Sequence, residues 1–274
     1  MRPNLGILAG SGELPGRIIE ACRSSGRGVF VVAFAGQADS PLIEDTPHTR
    51  VRLGAIGAWL SWLKEQKVEE LVMAGPLRRP GLADLRPDLK GIALLAKTGA
   101  LALGDDGLLK ACIRELENEG FRVVGIDAVL EDIVAPLGTY GARQPDEQAL
   151  ADIHRGREVA KGLGALDVGQ AVVVQQGIVL AVEAIEGTAQ MLARCRAFRR
   201  EGGGGVLVKT CKPGQERRAD LPTIGVATVE QAAEAGLVGI AVEAGRSLVI
   251  DRAAVAAKAD ALGLFVLGVE AEGA

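Results

Sequence analysis

The sequence predicts an α/β protein of two domains, with a Rossmann-like parallel sheet in the N-terminal one and a mixed α/β arrangement in the C-terminal one. Three observations carry this. Short apolar runs of strand length alternate with stretches of helical spacing along most of the chain, the pattern of a sheet with helices packed on it. The first run, LGILA, enters Gly10-Ser11-Gly12 and then a helix over 14–24, the strand, glycine turn and helix order of nucleotide-binding folds. From Ile133 to Glu147 the composition turns to VAPLGTYGARQPDE, rich in Pro, Gly and polar residues like an interdomain linker. The expected division is a domain over 1–132, a linker over 133–147 and a domain over 148–274.

In the first domain, the glycine turn offers bare N–H groups and a helix N-terminus, which suits a phosphate or nucleotide at Gly10, Ser11 and Gly12. Pro15 stands where a dinucleotide fingerprint has its third glycine, and the strand over 29–33 runs into Phe34-Ala35-Gly36 without a ribose-binding acid, so a nicotinamide cofactor is not expected. A helix over 58–65 follows. A third strand over 70–74 then ends at Gly75, Pro76 and Leu77, at the carboxyl edge where doubly wound sheets bind ligands. Next, Gly104-Asp105-Asp106-Gly107 precedes a helix over 108–119. One aspartate is accounted for as an N-cap; the second stands open between structural and ligand roles. A strand over 122–125 closes the domain.

The second domain opens with a helix over 148–163. Strands over 171–175 and 178–183 meet at Gln176-Gly177, a hairpin signature. Glu183 closes the second strand, and Glu186 stands before Gly187, Thr188 and a helix over 189–200. Both acids could face one crevice at the strand ends, or serve as one capping acid and one surface acid. After the glycine run 202–205, a buried strand over 206–208 leads into KTCKPGQERRADLPTIG, from Lys209 to Gly225. This segment sets Lys209, Lys212, Arg217 and Arg218 around one acid, Asp220, between two apolar stretches. Desolvating such charges is costly unless partners, a metal or a ligand meet them. Pro213 and Pro222 keep the segment out of a helix. A site for a phosphorylated ligand with a hard cation is one reading, and a solvated basic loop is the other. A helix over 229–235, strands over 239–242 and 248–250, an Asp251-capped helix over 252–262 and a strand over 264–269 complete the chain.

Composition narrows the function. The 274 residues hold 31 Lys+Arg against 35 Asp+Glu, a net charge of −4, so no basic field points to nucleic acid. Aromatics make up 3%, which leaves few platforms for stacking bases. The opening MRPNLGILAG lacks the apolar core of a secretory signal, and the most apolar tract, 92–103, is too short for a membrane span and carries Lys97. A cytoplasmic protein is expected. Cys22, Cys112, Cys195 and Cys211 form no C-x-x-C pair. Two histidines, His48 and His154, are too few for His-rich zinc or dinuclear centres and make a Ser-His-Asp hydrolase unexpected. Any metal would be held by carboxylates, which favours Mg²⁺ or Mn²⁺.

Taken together and in order, GILAGSGELP, AGPLRRP, GDDGLLK, QQGIVLAVEAIEGT, VKTCKPGQERRADLPTIG, GIAVEAG and GLFVLGV resemble the LpxI family, the UDP-2,3-diacylglucosamine pyrophosphatases of lipid A biosynthesis. The likeness runs nearly end to end. It implies hydrolysis of UDP-2,3-diacylglucosamine to UMP and 2,3-diacylglucosamine 1-phosphate, with a divalent cation, at a site between the two domains. The family's essential acid in R-x-D-L-P falls on Asp220, and its K-P-x-Q on Lys212, Pro213 and Gln215. The acid pair of V-E-A-x-E-G-T falls on Glu183 and Glu186, and G-D-D on Asp105 and Asp106. Ala189 stands where family members often have aspartate, and Glu216 where aspartate is usual.

On this reading the catalytic set is Asp220, Lys209, Lys212 and Glu183, with Lys209 or Lys212 stabilising the leaving phosphate, and a cation is expected at Asp105, Asp106, Glu186 and Asp220. Substrate contacts are expected in the first domain at Gly10, Ser11, Gly12, Gly75, Pro76 and Leu77. In the second they fall at Gln176, Gly177, Gly187, Thr188, Gln215 and Thr223. The resemblance also implies at most a peripheral contact with the inner face of the membrane, and leaves homo-oligomerisation open. A non-catalytic carrier of a nucleotide sugar or lipid phosphate is the alternative. The acids weigh against it, because carboxylates near a pyrophosphate repel it unless a metal intervenes.

Overall fold

The computed structural model describes residues 2–77, 85–98 and 105–271. It divides into two compact units, Met1–Glu131 with Glu216–Asp220, and Asp132–Gln215 with Leu221–Ala274.

The first unit is a sheet of five strands: β1 (Leu5–Ala9), β2 (Val29–Phe34), β3 (His48–Val51), β4 (Glu70–Ala74) and β5 (Arg122–Val124). They lie in the order β3-β2-β1-β4-β5, and every pair is parallel. β1 reads LGILA and is buried at all five positions, as a central strand covered on both faces must be. Helices α1 (Leu14–Ser25), α2 (Ile56–Glu65), α3 (Leu89–Thr98) and α4 (Asp105–Asn118) accompany the sheet. Leu8 and its neighbour Val32 face a cluster with Trp59 and Leu63 of α2 and Ile113 of α4. Alternation turns Ile7 and Val31, both 0% exposed, to the other face. The strand β3 was not among the sequence expectations, which made Glu70–Ala74 the third strand. Its residues, HTRV, are polar and only partly buried, as an edge position allows, so they lack the apolar signal of the inner strands.

Glu70, the first residue of β4, is a buried carboxylate with cations on both sides. Arg27, whose side chain is 5% exposed, pairs with one oxygen, and Arg122 of β5 lies against the other. Arg27 also donates Nε to the Pro3 carbonyl at 2.9 Å. These bonds tie the amino-terminal edges of the central strands together.

The second unit holds a mixed sheet of β6 (Gly138–Thr139), β7 (Ala171–Gln175), β8 (Ile178–Val182), β9 (Val206–Lys209), β11 (Gly239–Glu243) and β13 (Phe265–Val269), in the order β6-β13-β11-β9-β7-β8. β10 (Thr223–Ile224) and β12 (Leu248–Val249) pair separately. β9, β11 and β13 run parallel, whereas β7 is antiparallel to β9 and β8 to β7. The helices are α5 (Glu147–Ala165), α6 (Gly187–Cys195), α7 (Val226–Glu234) and α8 (Arg252–Leu262). Val206 and Val208 pack with Ala149 and Ile153 of α5. Leu207 packs on the opposite face with Met191 of α6, Val229 of α7 and Val255 of α8. Asp146 and Asp251 cap α5 and α8, accepting Ala149 N–H at 2.8 Å and Ala254 N–H at 3.0 Å. The expected Gln176-Gly177 turn is present with φ of 53° and 74°, the left-handed pair that a two-residue hairpin of this kind requires.

Two segments differ from their expected domain assignment. The segment 133–147 is no free linker: Ile133 and Ala135 are buried and Gly138–Thr139 pairs antiparallel with β13. Its Pro and Gly content reflects a two-residue edge strand, too short to show a period. Glu216–Asp220, expected in the second domain, belongs to the first unit, where Ala219 packs against the core cluster of α2 and α4.

Breaking the Glu70 pair tests this edge. Glu70→Gln leaves Arg27 buried without its counter-charge and should cost about 3 kcal/mol, whereas Arg122→Met, at an exposed partner, should cost about 1 kcal/mol or less. Urea unfolding midpoints of the two variants measure the difference, and equal midpoints would contradict it.

Candidate functional site

In the second unit the site is built on Lys209. β9 reads VLVK with all four residues buried. Period-two alternation puts Lys209 on the same face as Leu207, among the apolar groups of α6 to α8. The side chain has little water, since Lys209 is 5% exposed. Its ammonium therefore depends on protein oxygens. Nζ donates to Thr188 Oγ1 at 2.9 Å and to the Thr223 carbonyl at 3.2 Å. Thr188 in turn donates to Glu183 Oε1 at 2.5 Å, and Glu183 Oε2 accepts the Gln170 N–H at 3.2 Å. The result is a directed relay from ammonium through hydroxyl to carboxylate, with Glu183 itself 8% exposed.

Local sequence explains the placement. Glu183 directly follows β8, whose end lies beside the start of β7, and Ala171 of β7 is opposite Lys209. Gly187 takes φ of 76°, a left-handed conformation that glycine adopts without penalty, and this turn brings Thr188 into the first turn of α6.

The adjoining turn, 210–215, is organised by Gln215, which is 7% exposed. Its Oε1 accepts the Lys212 N–H at 2.7 Å and the Cys211 thiol at 3.1 Å, and its Nε2 donates to Gln170 Oε1 at 3.2 Å. Lys212 pairs with Asp167 at 2.8 Å, so this expected catalytic cation also braces the turn. Thr223 contributes its carbonyl to Lys209, while its hydroxyl donates to the Leu221 carbonyl at 2.9 Å. Glu186 is gripped by Arg194 through Nη2 at 2.7 Å and Nε at 3.1 Å, and these bonds hold its carboxyl below the usual range.

Gln176 and Gly177 stand apart. Gln175 pairs with Ile178 at one end of β7 and Ala171 with Lys209 at the other, a separation of about 14 Å along the strand. Their N–H groups bind the buried Asp152 carboxylate at 2.9 and 2.7 Å. They are turn residues at the far end of the sheet, where the hairpin's φ requirement accounts for them.

In the first unit, Gly10-Ser11-Gly12 and Gly75-Pro76-Leu77 lie side by side at the carboxyl ends of β1 and β4, where the strand order reverses. The geometry corrects the expected phosphate cradle. Gly10 N–H donates to the Ala74 carbonyl at 2.8 Å, Ser11 N–H to the Pro76 carbonyl at 3.1 Å, and Gly12 N–H to Asp39 Oδ1 at 2.9 Å. All three amides are engaged within the protein, and Asp39 supplies the anion that the turn was expected to take from a ligand. Gly10 is needed for close approach, because a Cβ there would lie 2.6 Å from the Gly75 oxygen.

Helix α4 begins at Asp105, so Asp106 sits in its first turn; the side chain of Asp105 lies outside the described residues. Asp106 Oδ1 accepts the Glu216 N–H at 2.9 Å, and Oδ2 the Lys110 ammonium at 2.5 Å. Glu216 binds Arg218, which reaches on to Glu117 at 2.6 Å. Arg218 holds the Glu216 carboxyl below the usual range, and the two acids raise the guanidinium pKa. Asp220 is half-buried and donates its N–H to the Glu216 carbonyl at 3.0 Å. Among the described residues no three His, Cys, Asp or Glu side chains gather as metal ligands.

Sequence reasoning did not single out Gln170, Asp167 or Asp39. Asp167 takes a left-handed φ of 53° in the turn after α5, but in sequence an aspartate in a turn has no distinctive spacing.

The chain matches two family models, the LpxI N-terminal domain over residues 4–133 and the LpxI C-terminal domain over residues 136–267. It is 43% identical over 273 residues to the protein named UDP-2,3-diacylglucosamine pyrophosphatase LpxI from Caulobacter vibrioides (strain ATCC 19089 / CIP 103742 / CB 15), covering 97% of each chain. Among solved structures, the biotin carboxylase–β,γ-ATP complex from Campylobacter jejuni aligns with a TM-score of 0.23 at 13% identity, over 72% of this chain and 42% of that one. That last likeness is too slight to carry an argument.

The relay can be tested without reference to activity. Thr188→Val removes the hydroxyl between two buried charges and should lower stability by about 1–3 kcal/mol, whereas Thr188→Ser should stay within about 0.5 kcal/mol of the parent. Thermal melts decide it, and a Val variant as stable as the Ser variant would contradict the relay.

Proposed function

Because the chain belongs to the LpxI family, we propose that it hydrolyses the pyrophosphate of UDP-2,3-diacylglucosamine, releasing UMP and 2,3-diacylglucosamine 1-phosphate, in lipid A biosynthesis. The observation that carries this reading is the 43% identity spanning 97% of both chains. The chemistry of Lys209 supports it. A buried ammonium at the carboxyl edge of parallel strands, held by Thr188 and Thr223, is already desolvated and oriented, so it can stabilise charge on a departing phosphate without reorganising. Glu183 acts through Thr188 and is a positioning residue. Lys212, braced by Asp167, is the secondary cation.

Asp220 is the acid we assign to the attacking water and to the divalent cation. Mg²⁺ leans on one or two carboxylates, substrate phosphate oxygens and water rather than on a cage of protein acids. The proposed donor set is of that kind: Asp220, Asp106, whose carboxylate oxygens keep further lone pairs beyond the Glu216 and Lys110 bonds, and Asp105, adjacent to Asp106 in sequence. Glu186, committed to Arg194, is left out of the ligand set. When bound, Mg²⁺ or Mn²⁺ supplies positive charge that offsets the pyrophosphate. No helix among the described residues is long and apolar enough to cross a membrane; we place the protein in the cytoplasm, with at most a peripheral contact through the acylated substrate.

The test is UMP release from UDP-2,3-diacylglucosamine by the purified protein. Release should stop with EDTA and return with Mg²⁺ or Mn²⁺, and Asp220→Asn should lower kcat about 10²-fold or more at an unchanged Tm. Tight substrate binding with no UMP in either metal would favour a carrier instead.

A further inference from the structure

The carboxyl edge that presents Lys209 also buries a carboxylate that the reading above does not use. β11 lies parallel to β9 with Val242 opposite Lys209, so Glu243, the next residue, stands beside the point where the chain leaves β9. Glu243 is 1% exposed. Its Oε2 accepts the Cys211 N–H at 2.9 Å, and among the described residues its Oε1 has no partner. Thr210 Oγ1 and Ser247 Oγ, also buried, likewise have none among the described residues. Burying a carboxylate on one hydrogen bond opposes folding, and an apolar group of similar size would commonly serve stability as well or better.

What Glu243 does accomplish is local. It fixes the amide two residues beyond Lys209, at the root of a turn whose other side closes through Gln215 onto Gln170. Gln215 is the last residue before Glu216–Asp220, the segment that carries Asp220.

We propose that Glu243 is a positioning residue of the hydrolytic site: by binding the Cys211 N–H to the end of β11, it sets where Lys209 and the 210–215 turn stand. The role rests on the hydrolase reading. It depends on the acceptor oxygen, so glutamine, which keeps that oxygen, substitutes and an apolar residue does not.

The experiment compares Glu243→Gln and Glu243→Met in kcat, KM, Tm and hydrogen exchange at the Cys211 amide. Glu243→Gln should keep kcat within about threefold of the parent, while Glu243→Met should lose about 30-fold or more in kcat with KM within about threefold, since small misplacements at a reacting centre cost that much. Cys211 exchange should stay slow in the Gln protein and accelerate about tenfold or more in the Met protein. A Met variant with near-parental kcat overturns the proposal, as does a Gln variant that loses as much as Met, because charge and not the bond would then matter. If the Met protein does not fold, Gln alone decides: a kcat about tenfold down with slow Cys211 exchange overturns it. Should the parent release no UMP, the hydrolase reading fails by itself, while Cys211 exchange still tests whether Glu243 anchors the turn.

Discussion

A single desolvated ammonium constrains the second unit. Lys209 ends a strand whose other residues are all apolar, and folding carries its charge into that environment. An ion placed there without oxygens around it would cost several kcal/mol. Thr188, Thr223 and, through Thr188, Glu183 meet that requirement. Much of the local architecture follows from it: the left-handed Gly187 that turns the chain, the start of α6 at the carboxyl edge, and the return of the chain through β10 to offer a carbonyl. The same cost bears on the proposed use. A cation that the fold has already stripped of water and fixed in direction is suited to meet a charge that develops during reaction.

The first unit shows why a fold resemblance does not by itself make a site. Its strand order and its strand, glycine turn and helix opening match nucleotide-binding proteins. Yet the turn's amides close on Ala74, Pro76 and Asp39. The glycines serve the close approach of two turns at the switch point. Asp106 of α4 and Glu216 of the 216–220 segment are paired with Lys110 and Arg218, which offset their charge.

The legibility of each part followed its physics. Buried strands and capped helices announce themselves: LGILA, ELVMA and AVVVQ have the bounds their apolar runs predict, and Asp251 caps α8 as expected. Elements without a buried stripe did not, as with the polar edge strand His48–Val51 and the two-residue β6, which reads as linker. The charged island from Lys209 to Gly225 was visible because charge between core segments is unusual. Its internal wiring was not. Which lysine is buried and which is braced depends on Thr188, Gln170 and Asp167, 21, 45 and 45 residues away from their partners, and no local pattern encodes such pairings. Gln176-Gly177 has the sequence of the hairpin turn it forms, but motif order does not encode that the turn lies at the opposite end of the sheet.

The proposed chemistry requires Lys209 to act as a cation toward substrate rather than as a core residue. Steady-state turnover of Lys209→Met measures this most directly, because methionine keeps the packing of the stem and removes the charge. Replacement should lower kcat by about 10² or more in a protein still folded at the assay temperature, with a modest fall in Tm because Thr188 and the buried Glu183 lose their cation. A Lys209→Met protein that turns over within a few fold of the parent would contradict that chemistry.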